Sequence, residues 1–304
     1  VESVIRRQSS RIATEDISGS ELTTILPVDI RATEAIVEGF DLEAELAKVI
    51  GLDSVKKYIR SLNARLKLQA ERKKAGLKTD STQTMHMIFA GNPGTGKTMM
   101  ARTVANVLYN MNVIQSNKLI ETDRSGLVAG YVGQTAIKTR EVIETALGGV
   151  LFIDEAYALA QGGENDFGQE AIDTLVKMMD DNRDRLVVIL AGYSNDMNKF
   201  LDKNAGLHSR FANIIEFPDY SAEELMRIAD GFYSEQGYVL SEAGKVLLRQ
   251  KLEVAKTNKQ FGNGRYVRNV FEKSLNNQAL RLSNLAEYTK EALVTITEED
   301  IKEA

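Results

Sequence analysis

Gly91-Asn92-Pro93-Gly94-Thr95-Gly96-Lys97-Thr98 is the stretch on which the reading of this 304-residue chain turns. It fits G-x-x-x-x-G-K-[ST], a phosphate-binding loop. Met85-His86-Met87-Ile88-Phe89-Ala90, just before it, is an apolar run of strand length. After it, Met99, Met100, Val104, Ala105, Val107 and Leu108 recur at helical spacing. A strand entering and a helix leaving is the setting in which the motif works. Its glycines let backbone N–H groups converge on one point, and those amides with the helix N-terminus bind polyphosphate. Lys97 would reach the β and γ phosphates, and the Thr98 hydroxyl would ligate Mg²⁺.

Working outward, Val150-Leu151-Phe152-Ile153 is followed by Asp154-Glu155. A continuous apolar run suits a strand buried on both faces of a parallel sheet. Ligands of such sheets bind beyond the carboxyl ends of the strands, where these two acids fall. Asp154 would hold Mg²⁺, directly or through water. Glu155 would orient and polarise the attacking water. Lys118–Thr122, Leu186–Ala191 and Asn213–Phe217 are further strand candidates. The segments between them carry helical patterns, with Ser125–Thr135 as a glycine-punctuated loop. This alternation predicts a doubly wound α/β domain.

Before the loop, Leu42, Leu46, Val49 and Ile50 mark a helical face ending at Gly51. A longer helix is expected from Asp53 to about Ala75, with Val55, Ile59, Leu62, Leu66 and Leu68 inside. Residues 168–181 read as an amphipathic helix. Beyond Pro218 the strand pattern fades, and residues 221–236, about 241–256, 264–284 and 297–304 read as helices. Ser221-x-x-Glu224 and Thr297-x-x-Asp300 are N-terminal capping signals. The expected organisation is an extension or linker over 1–40, a nucleotide-binding α/β domain over 41–218 and a helical domain over 219–304.

The bulk numbers set limits. The chain is 43% hydrophobic and 27% charged, as in a soluble globular protein, and has no apolar run of membrane-spanning length. It contains no cysteine, which excludes disulfides and Cys-based metal sites and fits a reducing cytoplasm. A formal net charge of −5 gives no general attraction to nucleic acid. The first residue is Val, so a preceding module is left open.

With these parts in order, the chain resembles an AAA+ ATPase over about residues 41–304. Within that family it is similar to red-type Rubisco activases, stage V sporulation protein K and the cytosolic ATPases of type VII secretion. The stretches that carry the likeness are Gly91–Thr98, Gly126–Ala136, Gly148–Tyr157, Leu190–Tyr193, Gly206–Phe211 and Gly262–Asn269.

The resemblance implies a P-loop NTPase with a five-stranded parallel sheet and a small helical lid, ATP and Mg²⁺ as ligands, and a hexameric ring. Gly206–Phe211 carries the arginine finger in this family. That makes Arg210 the cation supplied to a neighbouring subunit's γ-phosphate, where charge builds during transfer. The bland alternative has Arg210 paired with a carboxylate at a helix end. Arg265 matches the lid arginine that contacts nucleotide, with Arg268 one turn later as fallback. Ile50-Gly51-Leu52 matches the adenine-side segment. Tyr131-Val132-Gly133 matches the aromatic–hydrophobic–glycine pore loop, which grips an unfolded protein substrate by apolar contact. Sensor 1 departs from the common pattern: Tyr193 holds the place of the usual Asn or Thr, with Ser194 and Asn195 beyond. His86 is expected to be a packed or hydrogen-bonded strand residue, and His208 to lie in the finger loop. A nucleic-acid motor or loader, and a scaffold gated by nucleotide, are the alternatives these parts leave open.

Overall fold

In the computed structural model, the described residues are 40–78, 85–131, 133–162, 166–258, 261–283, 285 and 287–304. The extension expected over 1–40 therefore lies almost wholly outside them, as does Val132.

Five parallel strands form the sheet: β1 (Met87–Gly91), β2 (Leu119–Thr122), β3 (Val150–Ile153), β4 (Val187–Gly192) and β5 (Asn213–Phe217). Their spatial order is β2-β3-β4-β1-β5. Met87 pairs with Ile189 of β4 on one side and with Asn213 of β5 on the other. Strand periodicity assigns the two faces. Met87, Phe89, Val150, Phe152, Val187 and Ile189 enter one core. Ile88, Ala90, Leu151, Ile153, Val188 and Leu190 enter the other. Both faces are dry, so β1, β3 and β4 had to read as unbroken apolar runs.

The first core is closed by α1 (Leu42–Ala47), α2 (Asp53–Lys74) and α3 (Lys97–Asn110). Helix α1 stops by Lys48, short of Gly51, because Gly51 and Leu52 adopt left-handed backbone at φ 60° and 56°. Leu68 was expected inside α2 but is 63% exposed. The buried stripe is Val55, Ile59, Leu62 and Leu66, and Leu68 falls outside its arc.

On the other face lie α4 (Arg124–Leu127), α5 (Thr135–Ala146), a 3₁₀ turn (Ala156–Ala160), α6 (Gly168–Asp181), α7 (Ser194–Lys203) and α8 (Ala205–Arg210). Helix α4 interrupts the loop expected over Ser125–Thr135. Asp123 caps it by accepting from the Gly126 N–H at 3.1 Å. A Cβ on Gly126 would lie 2.1 Å from Thr122 Oγ1, so this glycine permits packing.

After β5 come α9 (Ala222–Glu235), α10 (Glu242–Ala255), α11 (Gly264–Ser283), α12 (Lys290–Val294) and α13 (Glu298–Lys302). The Ser221/Glu224 capping box is formed: Glu224 N–H donates to Ser221 Oγ, and Ser221 N–H to Glu224 Oε2. The helical reading missed a two-stranded parallel pair, β6 (Val239–Leu240) and β7 (Thr295–Ile296). Two residues per strand are too few to show a period.

Candidate active site

The phosphate loop is shaped by its glycines. Gly94 and Gly96 have φ of 70° and 89°, a backbone that any Cβ would strain. A Cβ on Gly91 would lie 2.4 Å from Phe217 O, so the loop leaves the sheet pressed against β5. Thr95 is fully buried and closes the turn by donating to Asn92 O at 2.8 Å. Helix α3 starts at Lys97, so its first N–H groups face the loop. The Lys97 ammonium donates to Gly91 O at 2.9 Å and Asn92 O at 2.8 Å. Burial holds its pKa below the ordinary lysine value, against the opposing pull of Asp154. A bound polyphosphate would replace those two neutral acceptors with charged ones.

Across the cleft, Asp154 follows β3 and its N–H donates to Thr122 O at 2.8 Å. Glu155 has φ 47°, the left-handed region, which costs a non-glycine residue about 1–2 kcal/mol. Its N–H donates to Asp154 Oδ1 at 3.0 Å. Strained backbone of this kind concentrates at functional sites.

These groups line one cleft of about 610 Å³. Of the residues expected at the site, Gly91, Pro93, Gly94, Gly96, Lys97, Thr98, Asp154, Glu155, Ile50 and Arg265 line it. Arg268 lines it too, with its guanidinium 4.9 Å from the centre of the Phe232 ring. Asn92, Thr95 and Gly51 do not line it. Gly51 abuts the lid, where a Cβ would lie 2.1 Å from Glu224 Oε1. Tyr193 reaches the cleft at the end of β4, 6.0 Å from the Tyr157 ring, whereas Asn195 is exposed and does not.

Sequence reasoning missed Ile228 and Phe232, the apolar wall that α9 presents beside Ile50. The signal was available. These residues are four apart and lie off the buried stripe of Leu225, Ala229 and Tyr233.

Arg210 and Tyr131 lie outside the cleft. Arg210 Nε donates to Asp180 Oδ1 at 2.9 Å and Nη1 to Gly206 O at 2.7 Å. Within one subunit it thus makes the helix-end carboxylate pair of the bland alternative. Tyr131 is 74% exposed, with Gly133 exposed close by. His86 is buried, and its Nδ1 accepts from the Val188 N–H at 3.0 Å. Among the described residues no three His, Asp or Glu side chains gather into a ready-made metal site.

Residues 87–219 match the ATPase family associated with various cellular activities (AAA), and residues 221–304 match the AAA lid domain. This chain is an AAA ATPase. It is 46% identical over 264 residues to stage V sporulation protein K of Bacillus subtilis, covering 86% of this chain and 82% of the relative. It is 42% identical over 284 residues to protein CbbX of Cereibacter sphaeroides, covering 90% of each. ESX-3 secretion system protein EccA3 of Mycobacterium tuberculosis is 40% identical over 286 residues, which are 86% of this chain and 44% of that one. Among solved structures, the FIGL-1 AAA domain in complex with ADP is similar in fold, with a TM-score of 0.58 at 18% identity over 88% of this chain and 90% of that one. As an AAA ATPase the chain binds nucleotide and hydrolyses ATP. No helix among the described residues is long and apolar enough to cross a membrane.

Proposed function

We propose that this ATPase works as a hexameric ring in which each cleft is completed by Arg210 of the adjacent copy, and that turnover drives Tyr131 loops against a protein substrate. The observation that carries the reading is the split location of the parts. Lys97, Thr98, Asp154, Glu155 and Arg265 share one cleft, while Arg210 lies outside it, tied to Asp180. A guanidinium so placed serves a γ-phosphate that another subunit holds.

Within the cleft, Lys97 and the loop amides bind the β and γ phosphates. Glu155 takes the water proton, and Arg265 contacts the triphosphate from the lid. Thr98 and Asp154 suit Mg²⁺: one hydroxyl and one carboxylate leave room for phosphate oxygens and water, the usual ligand set of that ion. When bound, it would neutralise developing phosphate charge. The named relatives concern sporulation and secretion, and a protein substrate is the reading that suits an exposed Tyr131 beside Gly133.

Mixing an inactive Lys97→Ala protein with an inactive Arg210→Ala protein tests the shared site. Each supplies what the other lacks, so turnover should reappear in mixed rings. Its failure to reappear at any ratio removes the trans assignment. Stimulation of turnover by DNA at physiological salt would favour the nucleic-acid motor instead.

A further inference from the structure

Three short segments distant in sequence meet in the wall of the nucleotide cleft: 92–95 of the phosphate loop, 219–220 between sheet and lid, and 263–264 at the start of α11. The Asp219 carboxylate joins them. Its two oxygens each accept from Asn92 Nδ2 at 3.0 Å, and Oδ1 also accepts from Asn263 Nδ2 at 2.7 Å. Asn263 in turn accepts the Tyr220 N–H on Oδ1 at 3.0 Å. The Tyr220 hydroxyl donates to Thr95 O at 3.3 Å, and the Gly264 N–H to Gly94 O at 3.1 Å. The fit is close: a Cβ on Gly94 would lie 2.2 Å from Gly262 O and 2.7 Å from Arg265 N.

Asn263 is completely buried at φ 46°. Asn tolerates this conformation better than most residues, but it persists only where the surroundings over-determine it. Here they do, through an amide whose donor and acceptor sides are both used. Arg265, two residues further on, lines the cleft. The backbone that must cradle a phosphate is thus bonded to the turn that aims a lid arginine.

We infer that Asp219 and Asn263 are positioning residues that fix the lid's angle to the phosphate loop. Nucleotide occupancy is passed to the lid through loop backbone at Gly94 and Thr95, and not only by Arg265 touching the triphosphate. Filling the loop reorients its peptides around phosphate. Gly94 O and Thr95 O carry that shift to Gly264 and Tyr220, while Asp219 holds the three segments in one unit. The inference rests on the cleft binding ATP and on Arg265 acting there.

The native chain has no cysteine, so single cysteines at exposed Lys199 on α7 and Glu253 on α10 allow specific fluorophore labelling. Energy transfer is measured in the full chain with and without saturating ATPγS and ADP, diluted into unlabelled protein. Wild type should show a nucleotide-dependent change. Asn263→Asp sets a carboxylate against Asp219. It should erase that change and lower kcat about tenfold while KM moves less than about threefold. The exchange Asp219→Asn with Asn263→Asp restores a donor–acceptor pair at the 2.7 Å contact, at the expense of the 3.4 Å bonds from Asn263 Nδ2 to Pro93 O and Phe261 O, and should recover most of both readouts. A generally damaged fold would not be rescued this way. Arg265→Ala should keep the energy-transfer change at saturating nucleotide while losing turnover. Three results overturn the inference: Asn263→Asp responding like wild type, the exchange doing no better than the single variant, or Arg265→Ala alone erasing the response. Normal Asn263→Asp behaviour with an inactive Arg265→Ala leaves the nucleotide-site reading intact. An Arg265→Ala protein with full turnover removes Arg265 from the nucleotide site and takes with it the inference, which rests on that role.

Discussion

Arg210 and Asp180 form a two-pronged ion pair at the C-terminal end of α6. Nε donates to Oδ1 at 2.9 Å, and Nη2 donates to Oδ2. The guanidinium beside Asp180 holds that carboxyl below its ordinary pKa. The pair is partly solvated, with side-chain exposures of 25% and 41%, so its loss should cost less than about 1 kcal/mol of stability. In the proposed ring its value is orientation, since a finger held by a carboxylate would have fewer rotamers to search. Asp180→Asn should therefore lower kcat about tenfold and leave ATP affinity unchanged, because Asp180 does not line the cleft. Steady-state kinetics with nucleotide-binding titrations check this. Unchanged kcat would show that Asp180 does not orient the finger.

Glu155 is held in left-handed backbone beside Asp154. Glu155→Gln keeps the side chain's size but replaces the carboxylate proposed to accept the water proton with an amide. Turnover should fall by about a hundredfold or more, with ATP retained on the protein. Filter binding of labelled ATP and phosphate release read the two effects separately. Hydrolysis at the wild-type rate would move the base elsewhere.

His86 makes stability depend on pH. Burial is the main cause that lowers its pKa to about 4 from an ordinary 6.5, with Asp180 opposing and Arg210 reinforcing. The unfolded chain then binds the proton first. Stability from this residue is complete above about pH 6.5 and falls as pH drops toward 4, by roughly 3 kcal/mol in all. Denaturant unfolding between pH 7 and 4.5 should show the slope, and His86→Gln should flatten it. An equal slope in both proteins would assign the effect to carboxylates.

The parts most legible in the sequence were those whose chemistry needs consecutive residues. The loop at Gly91–Thr98 and the acids after Ile153 declare themselves because backbone geometry ties each function to fixed spacing. Strands β1, β3 and β4 were legible because two dry sheet faces leave no room for polar residues, whereas β2 and β5 keep Glu121 and Glu216 exposed and were read from short apolar pairs in chain order. Arg265 became a candidate only through resemblance, since a lone arginine in a helix has no local signature. Ile228 and Phe232 were passed over because a stripe that serves a ligand looks like a ragged edge of the core stripe. The Asp219 junction was invisible: its members come from three distant segments, and only folding brings them within hydrogen-bond distance.

Tyr131 presents its ring to solvent, and apolar contact is the interaction such a ring offers an unfolded chain. The prediction concerns stimulation of the ATPase by a permanently unfolded probe such as casein. Tyr131→Ala should bind nucleotide normally and lose the stimulation, because a methyl group covers too little of the probe's surface. Tyr131→Phe should keep it, since the ring supplies the grip and the hydroxyl does not. Loss in both variants would point to hydrogen bonding by the phenol. Full stimulation in the alanine variant would remove the loop from substrate handling and leave the chain an ATPase whose output acts through another face.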